Sequence, residues 1–268
     1  MSSLARQTTY DHLSSIPIYV DEIVERYDPR YIVLYGSVAR GTSNEDSDID
    51  LFAVMDGDDP MIRPLCNIHN DSMPYAEVWE ASERVYAASA NVPGSFCYDP
   101  AHEGRVVYTR LGLGSLESVV KGAALEDIER RKKQDVSTYL TLAEEDIKLA
   151  KIAFREPYYN NAVFLSQRCA EKSLKALLIQ AGIHPKKIHN LVNLAKQLPD
   201  DLQADLDVEA LDNIFDPVKV LVDGRPINVT YVANIPQLTE GVVRTVIEQA
   251  EEVHNICRYQ ITKLASSR

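Results

Sequence analysis

No lysine occurs before Lys121, and this gap divides the chain into two parts of different electrical character. Residues 1–112 carry 18 acidic and 8 basic side chains, whereas residues 113–268 carry 22 acidic and 20 basic ones, for a net charge of −12. An acidic first half offers no basic face with which to displace counterions, which argues against non-specific binding to a long nucleic acid. A small polyanion could still bind there through an intervening metal ion. The four cysteines, Cys66, Cys97, Cys169 and Cys257, form no Cys-x-x-Cys pair, so neither a zinc site nor a disulfide framework is expected. No apolar run is long enough to span a bilayer, and "MSSLARQTTYDHLSS" has no apolar stretch of signal-peptide type. A cytoplasmic protein with reduced thiols and no membrane partner is the expectation. There is no internal repeat and no low-complexity segment.

Apolar residues make up 45% of the chain, enough for a sizeable core. In the first half "IPIYVDEIVERY" spaces Ile18, Val20, Ile23, Val24 and Tyr27 along one helical face. "YIVLY", "DIDLFAV", "MPYAEVWEAS" and "RVVYTR" have strand length and composition. Strands mixed with helices predict a small mixed α/β sheet. The second half changes period. Val136, Tyr139 or Leu140, Ala143, Ile147, Ala150 and Phe154 recur at steps of three and four, and Ala162, Leu165, Cys169, Leu174 and Leu177 follow at steps of three to five. Val243, Val246, Ala250, Val253, Cys257 and Ile261 repeat the pattern. With a shorter helix at "HNLVNLAKQL", these predict an all-α antiparallel bundle. The expected division is a domain over 1–112, a linker or helix over 113–134 and a bundle over 135–268. The Pro- and Gly-punctuated stretch 215–237 fits no element.

The chemistry concentrates in "YGSVARGTSNEDSDIDLFAV", residues 35–54. Strands disfavour Asp, yet Asp48 and Asp50 stand two apart at the head of one, where both project to the same face. Carboxylates that close repel unless a cation lies between them, and oxygen-only ligands suit Mg²⁺, which usually shares its shell with substrate phosphates. Just upstream, Gly36 lets the chain turn, and the amides of Ser37 and Val38 would face an anion at a helix start. Phosphate on one side and metal carboxylates on the other describe a nucleoside triphosphate site. Arg40 could add a phosphate contact or pair with Glu45 or Asp46; Tyr35 reads as packing.

"GSVARGTSNEDSDIDL" resembles the Gly-Ser-x(n)-Asp-x-Asp signature of the DNA polymerase beta superfamily, in the form typical of its minimal nucleotidyltransferases. The resemblance covers roughly residues 15–110. It implies transfer of a nucleoside monophosphate from an NTP, with ATP expected, to a hydroxyl, with release of pyrophosphate and with Mg²⁺ as cofactor. It also implies a third carboxylate on a later strand, for which Glu77 in "YAEVW" is the best match and Glu80 the fallback. On this basis Asp48, Asp50 and Glu77 are the expected catalytic and metal residues, and Gly36, Ser37 and Arg40 the expected nucleotide-binding ones. With no lysine in the first half, further positive charge would come from the helical half, where Lys172 and Lys175 are expected to assist nucleotide binding. By their three- and four-residue spacing, Arg168, Glu171, Lys172 and Lys175 read first as a solvated ion-pair ladder along one helix.

Residues 135–264 resemble a HEPN domain through "AVFLSQRCAEKSLKALLIQAG" and "KIHNL". Many HEPN domains are ribonucleases that carry Arg-x(4–6)-His. No arginine after residue 112 has a histidine at that spacing; Arg6/His12 and Arg63/His69 do, but both lie in the transferase half. Ribonuclease activity is therefore not expected, and His189 reads as a helix-start hydrogen-bonding residue. The acceptor could be a protein hydroxyl or a small molecule, as in antibiotic nucleotidyltransferases. The rival from another class is a non-catalytic nucleotide-binding or antitoxin-like module. Self-association through the helical half is a further expectation.

Overall fold

Tyr31, Ile32, Val33, Leu34 and Tyr35 are all buried, as befits a strand paired on both sides and covered on both faces. The computed structural model describes residues 3–44, 47–70, 73–156, 158–186, 188–209, 211, 219–222, 225–228 and 238–266. It forms two units, Met1–Lys132 and Lys133–Arg268. The first is a mixed α/β unit, and the second, among its described residues, is built of helices and one short strand pair.

In the first unit, helix α1 (Ser3–Tyr27) leads into β1 (Tyr31–Tyr35), the five-residue helix α2 (Gly36–Arg40) and β2 (Ile49–Met55). There follow β3 (Arg63–Asn70), β4 (Met73–Ser82), α3 (Glu83–Ala90), α4 (Tyr98–Glu103), β5 (Arg105–Thr109) and α5 (Leu116–Lys121). The sheet order is β3-β4-β2-β1-β5. The β2/β4 pair is parallel and the others are antiparallel. Period-two alternation sorts the strand residues onto two faces. Ile32, Leu34, Ile49, Leu51, Ala53, Ala76 and Val78 pack with Ile16, Tyr19, Val20 and Ile23 of α1. Tyr31, Val33, Tyr35, Phe52 and Val54 pack on the other side with Val85, Tyr86, Cys97 and Leu116. The stretch 63–70 carries no strand signal in the sequence; Pro64 lies near the start of what proves to be an edge strand, the place in a sheet that tolerates proline.

Residues 113–132 belong to the first unit. Leu116 is buried in its second core cluster, with Leu113, Val119 and Val120 packed against it. Arg84 grips Asp127 through two bonds, Nε to Oδ2 at 2.6 Å and Nη2 to Oδ1 at 2.7 Å. Those bonds hold the Asp127 carboxyl below its ordinary range.

The second unit contains most of α6 (Leu125–Arg155), with α7 (Tyr159–Ala181), α8 (Leu191–Ala195), α9 (Asp200–Gln203) and α10 (Glu240–Ser266). Within 215–237, Lys219–Val222 (β6) pairs antiparallel with Arg225–Asn228 (β7); the remainder lies outside the described residues. The left-handed Gly182 stops α7, as its sequence suggests. Side chains tie the three long helices pairwise. Lys172 meets Asp146 at 2.5 Å, Lys151 meets Glu251 at 2.6 Å, and Ser173 Oγ lies 2.8 Å from His254 Nδ1.

His254 gives this core a pH dependence. Ser173 donates its hydroxyl proton to the Cys169 carbonyl at 2.7 Å, so His254 Nδ1–H must donate to Ser173. Nε2 is then the lone-pair nitrogen; it is buried without a hydrogen-bond partner among the described residues, 3.9 Å from Glu144. Burial, and then the Arg258 guanidinium, lower the His254 pKa from its ordinary value, against the opposing pull of Glu144 and Glu251. Because the folded unit binds its proton less readily than the unfolded chain, stability is fully present above the ordinary histidine pKa of about 6.5 and declines as pH falls below it. Thermal melts between neutral and mildly acidic pH should show this decline, and His254→Gln should flatten it. An unchanged slope in the variant would assign the acid sensitivity elsewhere.

Candidate active site

Three neighbouring strands build the site at one end of the sheet. The register aligns Tyr35 of β1 with Asp50 of β2, and Asp50 with Glu77 of β4. Residues aligned in this way share a face, so Asp50 and Glu77 stand side by side about 5 Å apart along the backbone spacing. Glu80, the fallback third carboxylate, aligns with Ala53 instead, is only 8% exposed and accepts a bond from Arg63 Nε at 2.6 Å. Its charge is committed to that pair. Asp48 precedes β2 and is exposed. The loop before it is tightened by Ser47 and Asn44, which bond to each other at 2.9, 3.0 and 3.1 Å, and by His12 Nε2 at 2.8 Å from the Ser47 carbonyl oxygen.

Gly36 explains how Asp50 fits. Its φ is +73°, a conformation that side chains rarely adopt, and a Cβ placed there would lie 1.9 Å from Asp50 Oδ2. The glycine thus serves both the backbone turn and the position of the carboxylate. From it α2 rises for five residues and ends at the left-handed Gly41, whose N–H donates to the Val38 carbonyl at 3.1 Å, while Thr42 N–H donates to the Ser37 carbonyl at 2.9 Å. Ser37 makes no side-chain cap, since the helix is entered from Tyr35. Arg40 pairs with Glu103 at 2.8 Å, both about half exposed. Glu45 and Asp46, the partners expected for it, lie outside the described residues. A solvent-exposed pair contributes at most ~1 kcal/mol, so Arg40 can exchange Glu103 for a phosphate.

The Tyr35 phenol lies under this row of acids. Burial raises its pKa, and Asp50, Glu77, the Cys97 thiol and Asp99 raise it further, in that order. It therefore stays protonated and can donate or accept a hydrogen bond but does not act as a base. Asp99, half-buried in the first turn of α4, is a carboxylate of this neighbourhood that the strand-based sequence reading missed, because it arrives from a helix far along the chain.

In the helical unit the lysines expected to assist the nucleotide are already paired. Lys172 is bound to Asp146, and Lys175 to Glu171 at 2.7 Å. Arg168 lies 3.6 Å from Asp146. Glu171 also holds His189 Nδ1 at 3.1 Å. Burial pushes the Glu171 pKa up, but Lys175 and His189 together bring it below its ordinary value.

Among the described residues, no three His, Cys, Asp or Glu side chains gather into a metal-binding group. The donor chemistry still suits a hard cation, because Asp50 and Glu77 offer adjacent carboxylates and Asp48 lies two residues upstream of Asp50. Mg²⁺ commonly takes only one or two protein carboxylates and completes its shell with substrate phosphates and water. No described helix is long and apolar enough to cross a membrane.

Comparison with known proteins finds a domain family in each part of the chain. Residues 16–87 match the nucleotidyltransferase domain family, and residues 136–260 match the HEPN domain family. The chain therefore carries a nucleotidyltransferase domain over residues 16–87 and a HEPN domain over residues 136–260. A candidate toxin of Methanocaldococcus jannaschii is 42% identical over 45 residues, which are 17% of this chain and 30% of that protein. The chain thus spans less than a third of that relative's length. The crystal structure of an archaeal HEPN homologue is 32% identical, with 47% of this chain and 97% of that one covered, at a TM-score of 0.35. A nucleotidyltransferase-like protein from Exiguobacterium sibiricum is 10% identical over 94% of this chain and 74% of that one, at a TM-score of 0.42.

Proposed function

We propose that the first unit transfers a nucleoside monophosphate from an NTP, ATP by preference, to a hydroxyl acceptor. The observation that carries this reading is the alignment of Asp50 with Glu77, with Gly36 shaped around the Asp50 carboxylate. Gly36 and Ser37 start the turn that receives the β- and γ-phosphates, and Arg40 leaves Glu103 to join them. Asp48, Asp50 and Glu77 would hold Mg²⁺, which when bound neutralises triphosphate charge and stabilises the attacking and leaving oxygens. Glu77 accepts the proton of the acceptor hydroxyl as its oxygen bonds to the α-phosphorus, and the bond from that phosphorus to pyrophosphate breaks. The fold leaves the acceptor open between a protein and a small molecule. Self-association through the second unit is in keeping with Leu142, Leu149 and Ile152, which are exposed on α6 at seven- and three-residue steps.

A second reading, in which the chain is a toxin or an antitoxin-like nucleotide binder, draws support from the HEPN match and the toxin relative. Incubation with each labelled NTP, in Mg²⁺ or in EDTA, separates the two. Transfer predicts metal-dependent pyrophosphate release and label on an acceptor. Binding without turnover favours the second reading, and equal NTP affinity in Mg²⁺ and EDTA contradicts the metal role.

A further inference from the structure

The carboxylate row has a second row beside it. Phe52 and Trp79 follow Asp50 and Glu77 by two residues, share their face and align with each other in the same register. At the usual strand rise, the two rows are about 6–7 Å apart. Phe96, from the segment between α3 and α4, lies over this second row. Its ring centroid is 4.4 Å from that of Trp79 and 6.3 Å from that of Phe52. Phe52 and Tyr86 are fully buried and form the core beneath, but Phe96 keeps 42% of its surface exposed. Phe96 thus packs on the core and keeps part of its surface in solvent.

Strand order gives this surface a direction. Gly36 and Ser37 leave β1 on one flank of Asp50, and Glu77 stands on β4 on the other. In phosphoryl transfer the incoming and leaving oxygens lie roughly in line through the phosphorus. With the leaving pyrophosphate toward α2, the acceptor must arrive over β4, where the surface next to Glu77 is Trp79 with Phe96 upon it. Resting on the transferase reading above, we propose that Phe96 and Trp79 are the floor of the acceptor subsite and select a hydroxyl carried next to a flat, apolar group. The nucleobase then lies elsewhere. The floor holds the flat group by stacking and leaves the hydroxyl within reach of Glu77.

Trp79 is the chain's single tryptophan, so its fluorescence reports on this floor without labelling. The full chain is titrated with benzyl alcohol as the aromatic probe and glycerol as the polyhydroxyl control, each with and without Mg²⁺ and a non-hydrolysable ATP analogue. Benzyl alcohol should change the emission saturably whether or not the nucleotide is bound, and glycerol should not. Phe96→Ala should weaken benzyl alcohol binding about tenfold, the scale of one aromatic contact, while calorimetry shows nucleotide affinity within twofold of the parent. Phe96→Leu keeps an apolar side chain and should fall between the two, which guards against a folding defect in the alanine variant. Displacement of benzyl alcohol by the nucleotide would assign the floor to the base and overturn the proposal. So would an equal response to glycerol, or benzyl alcohol binding that neither Phe96 variant changes. Failure of the nucleotide to bind at all would instead overturn the transferase reading.

Discussion

Asp50→Asn is expected to reduce nucleotidyl transfer by about a thousandfold, from metal-ion stabilisation worth several kcal/mol at about 1.4 kcal/mol per decade of rate. The change is nearly isosteric but removes one negative oxygen ligand from the middle of the row formed by Tyr35, Asp50 and Glu77. Asn cannot offset the cation's charge, and a hard cation favours carboxylate over amide oxygen. The fold should survive, since Asp50 is only half-buried and its backbone pairing on both sides is unchanged. In the absence of metal, loss of repulsion with Asp48 and Glu77 should leave the melting temperature equal to or above that of the parent. The check is pyrophosphate release from labelled NTP alongside a circular-dichroism melt in EDTA. Normal turnover by the variant would remove Asp50 from the reaction.

How much of this could be read beforehand depends on sequence distance. Gly36, Ser37, Asp48 and Asp50 lie within fifteen residues on one strand–turn–strand, so spacing alone placed them in one neighbourhood. Glu77 needed more. Period-two alternation could say that Glu77 and Glu80 face opposite ways, but only the β2/β4 register puts one of them beside Asp50. Pairings over long separations carried no signal at all. Arg40 meets Glu103 across 63 positions, and His254 meets Ser173 across 81. Phe96 sits in a Gly-, Pro- and Ser-rich segment that reads as a loop, where nothing marks an aromatic as more than incidental. The bundle was legible because helical periodicity is local, whereas the commitment of Lys172 to Asp146 joins two helices and was not. The expected linker proved to contain Leu116, whose burial depends on a sheet face assembled from β1 and β2.

Gly36→Ala should come close to Asp50→Asn in its effect on transfer, although it leaves every carboxylate in place. The new Cβ would stand 1.9 Å from Asp50 Oδ2 and 2.9 Å from its Cγ, far inside contact distance. The backbone cost, for an alanine held at φ +73°, is about 1–2 kcal/mol. The steric cost can be relieved more cheaply, because Asp50 can rotate its short side chain aside. That rotation is what ruins the site. A misplacement of about 1 Å at a reacting centre can cost roughly a hundredfold in rate, and here the displaced atom is an expected metal ligand. Transfer should therefore fall at least a hundredfold while the melting temperature drops by only several degrees. A double-variant cycle separates the two effects. In the Asp50→Asn background, Gly36→Ala should lower transfer little further, since the ligand is already lost. With Asp50→Ala the severe clash disappears and only the Cβ of residue 50, at 3.3 Å, stays close, so Gly36→Ala should then cost little beyond the backbone strain in thermal stability and nothing more in rate. Full additivity of the two substitutions in rate would show that Gly36 acts through the phosphate-binding turn alone and not by shaping the seat of Asp50.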